Sequence, residues 1–246
     1  KPADTGLLYI RDKSQVVIMT EPKHRTIRSF VLRKGRLTTA QQHALDELWP
    51  HYGIEQRETV LDFEAHFERA AEVILEIGFG NGESTWRMAQ QEPGKNFIGV
   101  EVHEPGVGHL LLAMEKHAIE NVRIVCADAM PFLQNRIAPG SLAGVRIYFP
   151  DPWPKKRHHK RRLIQPGFVD LLARCMAGGA IFHLATDWQP YADHVLDVMH
   201  SRADFINLSA TGEYCERPIW RPYTKYEARG ERLGHVVRDL LYQRTA

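Results

Sequence analysis

Val73-Ile74-Leu75-Glu76-Ile77-Gly78-Phe79-Gly80-Asn81-Gly82-Glu83 is a short apolar run that breaks into three alternating glycines and then an acid. A run of this length closed by glycine reads as a buried strand, and residues 83–91 behind it read as a helix. The unit then repeats. Apolar runs at Phe97-Ile98-Gly99-Val100, Val122-Arg123-Ile124-Val125, Val145-Arg146-Ile147-Tyr148-Phe149 and Ala180-Ile181-Phe182-His183-Leu184 alternate with helical patterns at 105–118, 128–137, 166–177 and 188–201. Five strands separated by helices imply an α/β, Rossmann-like fold: a doubly wound, mostly parallel sheet with helices on both faces. Sheets of this kind bind ligands at the carboxyl ends of their strands, so the loops after each strand are where chemistry is sought.

Upstream, Thr38-Thr39-Ala40-Gln41 has the spacing of a capping box and opens a helix to about His51, with Gly53 as its stop. We therefore divide the 246 residues into a basic arm and helix over 1–59 and an α/β domain over 60–246. No stretch approaches the roughly 18 apolar residues of a membrane helix, and residues 1–21 show no apolar signal core, so neither a membrane nor a secreted protein is expected. Cys126, Cys175 and Cys215 stand far apart, form no CxxC, and fit a reducing cytoplasm.

The formal net charge of +2 conceals a sharp division along the chain. Residues 1–36 hold nine Lys/Arg against three Asp/Glu, residues 37–76 two against nine, and the octet 155–162 six against none. Two basic islands in an otherwise acidic chain point to a polyanionic partner.

The glycine turn is G-x-G-x-G rather than the G-x-G-x-x-G of a dinucleotide site, with Glu76 two residues before Gly78. Gly78, Gly80 and Gly82 let the backbone approach a ligand and turn tightly into the helix. Strand two ends at Glu101, placed to accept from a ribose diol. Strand three ends at Asp128, which either accepts from an adenine amino group or caps the next helix. Three carboxylates with no phosphate-binding lysine favour a neutral or cationic nucleoside, such as a sulfonium.

Strand four runs into Tyr148-Phe149-Pro150-Asp151-Pro152-Trp153-Pro154, then Lys155-Lys156-Arg157-His158-His159-Lys160-Arg161-Arg162. Three prolines in five residues predict a stiff, extended loop that holds Asp151 at the reactive end of the nucleoside. The basic octet leaves that same edge and reads as phosphate-binding. Asp187 after strand five is either an N-cap or a substrate contact. The segment Arg221-Pro222-Tyr223-Thr224-Lys225-Tyr226-Glu227-Ala228-Arg229-Gly230 suits a recognition loop or a closing hairpin equally.

Together these residues resemble the bacterial tRNA (guanine-N7)-methyltransferases of the TrmB type. The resemblance runs from about residue 26 to the end, and Phe149-Pro150-Asp151-Pro152-Trp153-Pro154-Lys155 entering a basic tract is its most specific part. It implies an S-adenosyl-L-methionine pocket lined by Glu76, Gly78, Gly80, Gly82, Glu101, Asp128 and Asp151, with Asp151 catalytic. It implies substrate contacts at Lys155, Asp187, Thr224, Lys225, Tyr226 and Glu227, and RNA contacts over Arg157, His158, His159, Lys160, Arg161 and Arg162. Tyr226 stands where a phenylalanine is common, and His158-His159 interrupt the tract. The implied partner is tRNA, methylated at the variable-loop guanosine 46, with no metal, no membrane, and a monomer favoured over a higher assembly. The competing readings are a nicotinamide-dependent oxidoreductase, a non-catalytic RNA-binding module on the same fold, and an adenine-N6 methylase.

Overall fold

The computed structural model describes residues 29–31, 35–57 and 59–246. The arm before residue 29, including the basic run from Arg25 to Arg28, lies outside the described residues.

The sheet is built from β1 (Val73–Ile77), β2 (Asn96–Glu101), β3 (Val122–Cys126), β4 (Leu142–Tyr148), β5 (Met176–Thr186), β6 (Phe205–Asn207) and β7 (Arg238–Arg244). Its order is β3-β2-β1-β4-β5-β7-β6, with β1 to β5 parallel and β7 antiparallel to both neighbours. The chain reverses direction across the sheet between β1 and β4, which opens a crevice at their carboxyl ends. The connecting helices are α3 (Glu83–Gln91), α4 (Glu104–His117), α5 (Ala129–Arg136), α6 (Pro166–Cys175) and α7 (Gln189–His200), within two residues of the spans read from periodicity. The exception is the start of β5: Met176 leaves α6 directly into the strand, and the register slips around Gly178-Gly179.

Side-chain alternation along each strand sorts the core into two layers. Val73, Leu75 and Ile77 pack with Phe132, Phe168, Leu172 and Tyr191 beneath α5, α6 and α7. Ile74 faces the other way, with Phe97, Ile124, Leu110 and Met114 beneath α3 and α4.

Helix α1 (Thr39–Tyr52) is capped as expected: Thr38 Oγ1 accepts from Gln41 N–H, and Gln41 Oε1 accepts from Thr38 N–H. Gly53 ends it in an extended rather than a left-handed conformation; a Cβ there would stand 2.3 Å from the Trp49 ring. Gln41 Nε2 donates to Pro105 O, Ile54 N–H donates to Ile124 O, and Ala44 and Tyr52 are buried with Ile74 and Phe97. The boundary placed at 59/60 therefore does not separate α1 from the domain. It falls before α2 (Phe63–Phe67), in a stretch whose Ile54, Leu61 and Phe67 are buried in the opposite core layer, with Val73 and Leu75.

Beyond α7, α8 (Lys225–Arg232) precedes β7. Residues 225–230 are thus helical, which sets aside the hairpin reading of that segment.

Candidate active site

A cavity of about 220 Å³ opens at the carboxyl edge, between Ile77-Gly78 of the first turn, Glu101 after β2, Asp128 after β3 and Phe149-Pro150-Asp151 after β4. Phe30 and Ser29 close it from the arm side. Phe30 was given no site role from the sequence; it stood there as an apolar residue of the basic run and as part of the Arg28-Ser29-Phe30-Val31 stretch that contributes to the family resemblance.

Gly78, Gly80 and Gly82 all adopt left-handed conformations, with φ of 74°, 60° and 76°. Their missing side chains do different work. A Cβ on Gly78 or Gly80 would meet nothing within 4 Å, so those two positions leave open space, Gly78 at the cavity wall. A Cβ on Gly82 would stand 2.7 Å from Leu110, so Gly82 is needed for packing α3 against α4.

The carboxylates divide in the same way. Glu101 is 9% exposed; its Oε2 accepts from Gly80 N–H (2.9 Å) and its Oε1 from Val102 and His103 N–H (2.7 and 3.1 Å). That fixes the carboxylate at the cavity wall while tying the glycine turn to β2. Asp128 Oδ1 caps α5 through Met130 N–H, as one of its sequence readings has it, and the residue also lines the cavity. Glu76 departs from expectation. It shares a face with Ile74, turned beneath α3, and both its oxygens are taken by Ser84 Oγ (2.5 Å) and Thr85 Oγ1 (2.6 Å). Burial pushes its carboxyl group up, against the pull of those two hydroxyls. Glu76 braces the turn from behind and is not among the cavity-lining residues.

Asp151 is exposed at the cavity mouth and has no side-chain hydrogen bond among the described residues. Its mount is not the extended loop that the prolines suggested. Phe149 and Trp153 are left-handed, at φ of 52° and 46°, conformations that cost a non-glycine residue about 1–2 kcal/mol each. Three contacts hold this shape: Phe149 N–H donates to Ala185 O (2.7 Å), Trp153 Nε1 to Ser29 O (3.0 Å), and the Arg161 guanidinium lies 3.8 Å from the Trp153 ring centroid.

The basic octet folds into a 3₁₀ turn, Lys156–Arg161, and separates by depth. Lys155, Lys156, Arg157 and Lys160 are exposed. His158 and His159 are half-buried; burial and the flanking cations push the His158 imidazole down. Arg161 donates to Phe30 O and so ties the arm to the tract. Arg162, expected as an RNA contact, is 3% exposed and donates to Pro152 O and Pro190 O. It pins the loop from inside and is not presented to a partner.

At the end of β5, Asp187 does not cap α7. Thr186 Oγ1 accepts from Trp188 N–H, while Asp187 Oδ2 accepts from His235 Nδ1–H at 2.7 Å. Asp187 is thus tethered to the segment after α8.

Two of the expected substrate contacts at the start of α8 are buried and already bonded within the chain. Thr224 caps the helix through Glu227 N–H. Glu227, 3% exposed, is held by two bonds from Arg221, which also makes two to Asp239. Asp239 accepts from His183 Nε2–H at 2.7 Å; Trp220 Nε1–H donates to His183 Nδ1, which sets that tautomer. Lys225 and Tyr226 are exposed. The Tyr226 ring lies 4.9 Å from Phe149, and its hydroxyl is pushed up by burial and by the negative charges of Asp187 and Asp151. Tyr226 therefore stands with both carboxylates, while Thr224 and Glu227 hold it there.

The sheet order with its reversed seventh strand, the glycine turn after β1 and the carboxylates at successive strand ends define a class I methyltransferase. A family model described as a putative methyltransferase matches residues 70–240. A tRNA (guanine-N(7)-)-methyltransferase of Sodalis glossinidius is 54% identical over 221 residues, 90% of this chain and 92% of that one. The enzyme of that name from Alcanivorax borkumensis is 51% identical over 222 residues, 90% and 93% of the two chains. The chain belongs to the tRNA (guanine-N7)-methyltransferase family. Among solved structures, the 16S rRNA methyltransferase KamB superposes with a TM-score of 0.54 at 17% identity, covering 78% of this chain and all of that one. That likeness is one of fold.

Proposed function

We propose that this protein transfers a methyl group from S-adenosylmethionine to N7 of a guanine in tRNA, the variable-loop guanosine 46, in the cytoplasm. The observation that carries the reading is the cavity's charge: Glu101, Asp128 and Asp151 stand at its wall, and the described residues that line it include no lysine or arginine. That donor set suits a cationic sulfonium nucleoside and is a poor host for a pyrophosphate. The open space beside Gly78 gives such a ligand room against the backbone. Glu101 would hold the ribose and Asp128 the adenine amino group. When bound, S-adenosylmethionine supplies an electrophilic methyl group.

Guanine N7 carries a free lone pair at the major-groove edge, so no proton has to be removed before it attacks. The protein's task is alignment. Asp151, whose oxygens have no side-chain partner among the described residues, accepts from guanine N1–H and N2–H₂ and stabilises the positive charge that methylation places on the base. Adenine lacks that pair of donors. Tyr226 packs against Phe149 of the cavity wall, and Asp187 is tethered to His235 beyond α8. Lys155, Arg157 and Lys160 face outward beside it, where phosphates of a folded RNA would pass. Among the described residues no helix is long and apolar enough to cross a membrane, and no group of His, Cys, Asp and Glu is arranged to hold a metal.

The test is transfer of labelled methyl into unmodified tRNA, followed by nucleoside analysis. Label is expected in 7-methylguanosine alone, and label in any other nucleoside refutes the assignment. Asp151→Ala should abolish transfer while tRNA binding changes less than threefold; retained transfer removes Asp151 from the chemistry. Thermal stabilisation by NAD but not by S-adenosylhomocysteine would favour the oxidoreductase.

A further inference from the structure

A groove of about 430 Å³ lies outside the cavity, between α3, α4 and the first turn of α8. Helix α3 contributes Glu83, Trp86 and Arg87, and α4 contributes His109, Leu112, Ala113, Lys116 and His117. These positions follow i, i+3, i+4 spacing, so each helix turns one whole stripe toward the other. Lys225 of α8 closes the upper end.

The chemistry of these stripes is uneven. Lys116, His109 and Lys225 are exposed, and Arg87 and His117 are half-buried. The single acid, Glu83, is 6% exposed and already committed: Arg87 Nη2 stands 2.7 Å from its Oε1, and Lys225 N–H donates to its Oε2. Among the described residues that line it, the groove therefore offers cations with no accessible carboxylate to oppose them. Its wall is flat and aromatic. Trp86 and His117 stack with ring centroids 4.1 Å apart and planes 4° apart, and the Arg87 guanidinium lies 5.4 Å from the Trp86 ring centroid. Cations beside a stacked aromatic face are the equipment of single-stranded nucleic-acid binding.

The groove also continues into the active site. Lys225 and Tyr226 are consecutive: the first lines the groove, the second packs against Phe149 beside Asp151. Arg87 Nη1 donates to Tyr223 O, which joins α3 to the segment leading into α8. A strand whose target base sits at Asp151 and Tyr226 crosses the start of α8 and reaches Lys225 and Lys116 next.

We propose that the α3/α4 groove is a second tRNA contact, holding the strand that flanks the target guanine, with phosphates at Lys225 and Lys116 and a ribose or base against the His117–Trp86 stack. The inference rests on the functional reading above. It adds a surface that neither basic island of the sequence includes, because its cations come from three separate helices.

The test is tRNA binding by fluorescence anisotropy from 50 to 200 mM salt, for the full chain carrying Lys116→Glu, Lys116→Ala or Lys116→Ala with His117→Ala. Calorimetric binding of S-adenosylhomocysteine serves as the control, since neither residue lines the cavity. Lys116→Glu should weaken tRNA binding about tenfold at 100 mM salt, and Lys116→Ala should lower the slope of log K against log salt by about 0.9, one phosphate contact. Adding His117→Ala should weaken binding further with no change in slope. Binding of S-adenosylhomocysteine should be unchanged throughout. If all three variants match the unaltered protein in affinity and slope, the groove is not a contact, and the functional reading stands. If the unaltered protein binds no tRNA, both fall.

Discussion

Arg221 is the residue whose removal should report most directly on how α8 is held at the site. Its guanidinium is 3% exposed and makes four bonds, at 2.6 and 2.9 Å to Asp239 and at 2.7 and 2.9 Å to Glu227. Burial alone would pull Arg221 down, but the bonds from Glu227 and Asp239 outweigh it and hold the group above its ordinary range. Replacing it with methionine fills similar volume but strands two carboxylates that are each 3% exposed. Asp239 keeps His183; Glu227 keeps no cation. Breaking a buried pair from one side costs about 3–5 kcal/mol. For a chain of this size that is a fall in Tm of roughly 6–20 °C. Urea unfolding followed by circular dichroism measures it, at constant m-value. Adding Glu227→Gln to Arg221→Met should restore about 1–2 kcal/mol, because the worst of the loss is the unpaired carboxylate and not the missing bonds. Folded Arg221→Met should bind S-adenosylhomocysteine within twofold of the unaltered protein and show a raised KM for tRNA, since only α8 is released. A cost below 1 kcal/mol, or no recovery in the double variant, would refute the argument that this cluster is a desolvated clamp.

Two further outcomes are expected. Burial pushes the His183 imidazole down, with the Asp239 bond opposing it only in part. The unfolded chain therefore binds a proton near pH 6.5 that the folded chain refuses, so this stability is complete above pH 6.5 and is lost as pH falls. The loss approaches about 1.4 kcal/mol per pH unit; urea midpoints between pH 7.5 and 5.5 should fall for the unaltered protein and flatten in His183→Gln, and parallel profiles would contradict it. Gly82→Ala and Gly78→Ala share a left-handed strain of about 1–2 kcal/mol but should otherwise diverge. The first also drives a methyl into Leu110 and should cost at least about 2 kcal/mol of stability. The second meets no protein atom and should instead weaken S-adenosylhomocysteine binding about tenfold, and equal effects on stability and binding in both variants would defeat the division.

The alternation from β1 to α7 was legible because each element there is an uninterrupted apolar period, and the glycine turn because three positive-φ residues admit almost nothing else. Strands β6 and β7 and helix α8 were not. Arg238–Arg244 carries charge at both ends, and its one buried acid, Asp239, is accommodated by Arg221, eighteen residues earlier, and by His183, both of which donate to it. Such a pairing has no local pattern to read. Glu76, Arg162, Thr224 and Glu227 were all expected to touch a ligand or RNA, and the structure shows each of them bonded within the chain. A motif marks a residue as chemically required, and a carboxylate that binds a ligand looks in sequence the same as one that binds a neighbouring helix. For Glu76 a sharper reading was available, since a period of two puts it on the face of Ile74, turned toward the following helix. For Arg162 none was, since the octet's charge count is blind to which cation turns inward. The structure separates the two jobs by access to the cavity or to solvent. Glu76, Arg162, Thr224 and Glu227 are buried off the cavity wall and bonded within the chain, to a serine and a threonine, two carbonyls, a backbone amide and an arginine. Asp151 is exposed, with no side-chain partner among the described residues, and Lys155 and Lys225 stand exposed beside it and at the groove. On that criterion recognition at this edge belongs to fewer residues than the motifs contain, and the remainder act by keeping Phe149, Asp151 and Tyr226 in place.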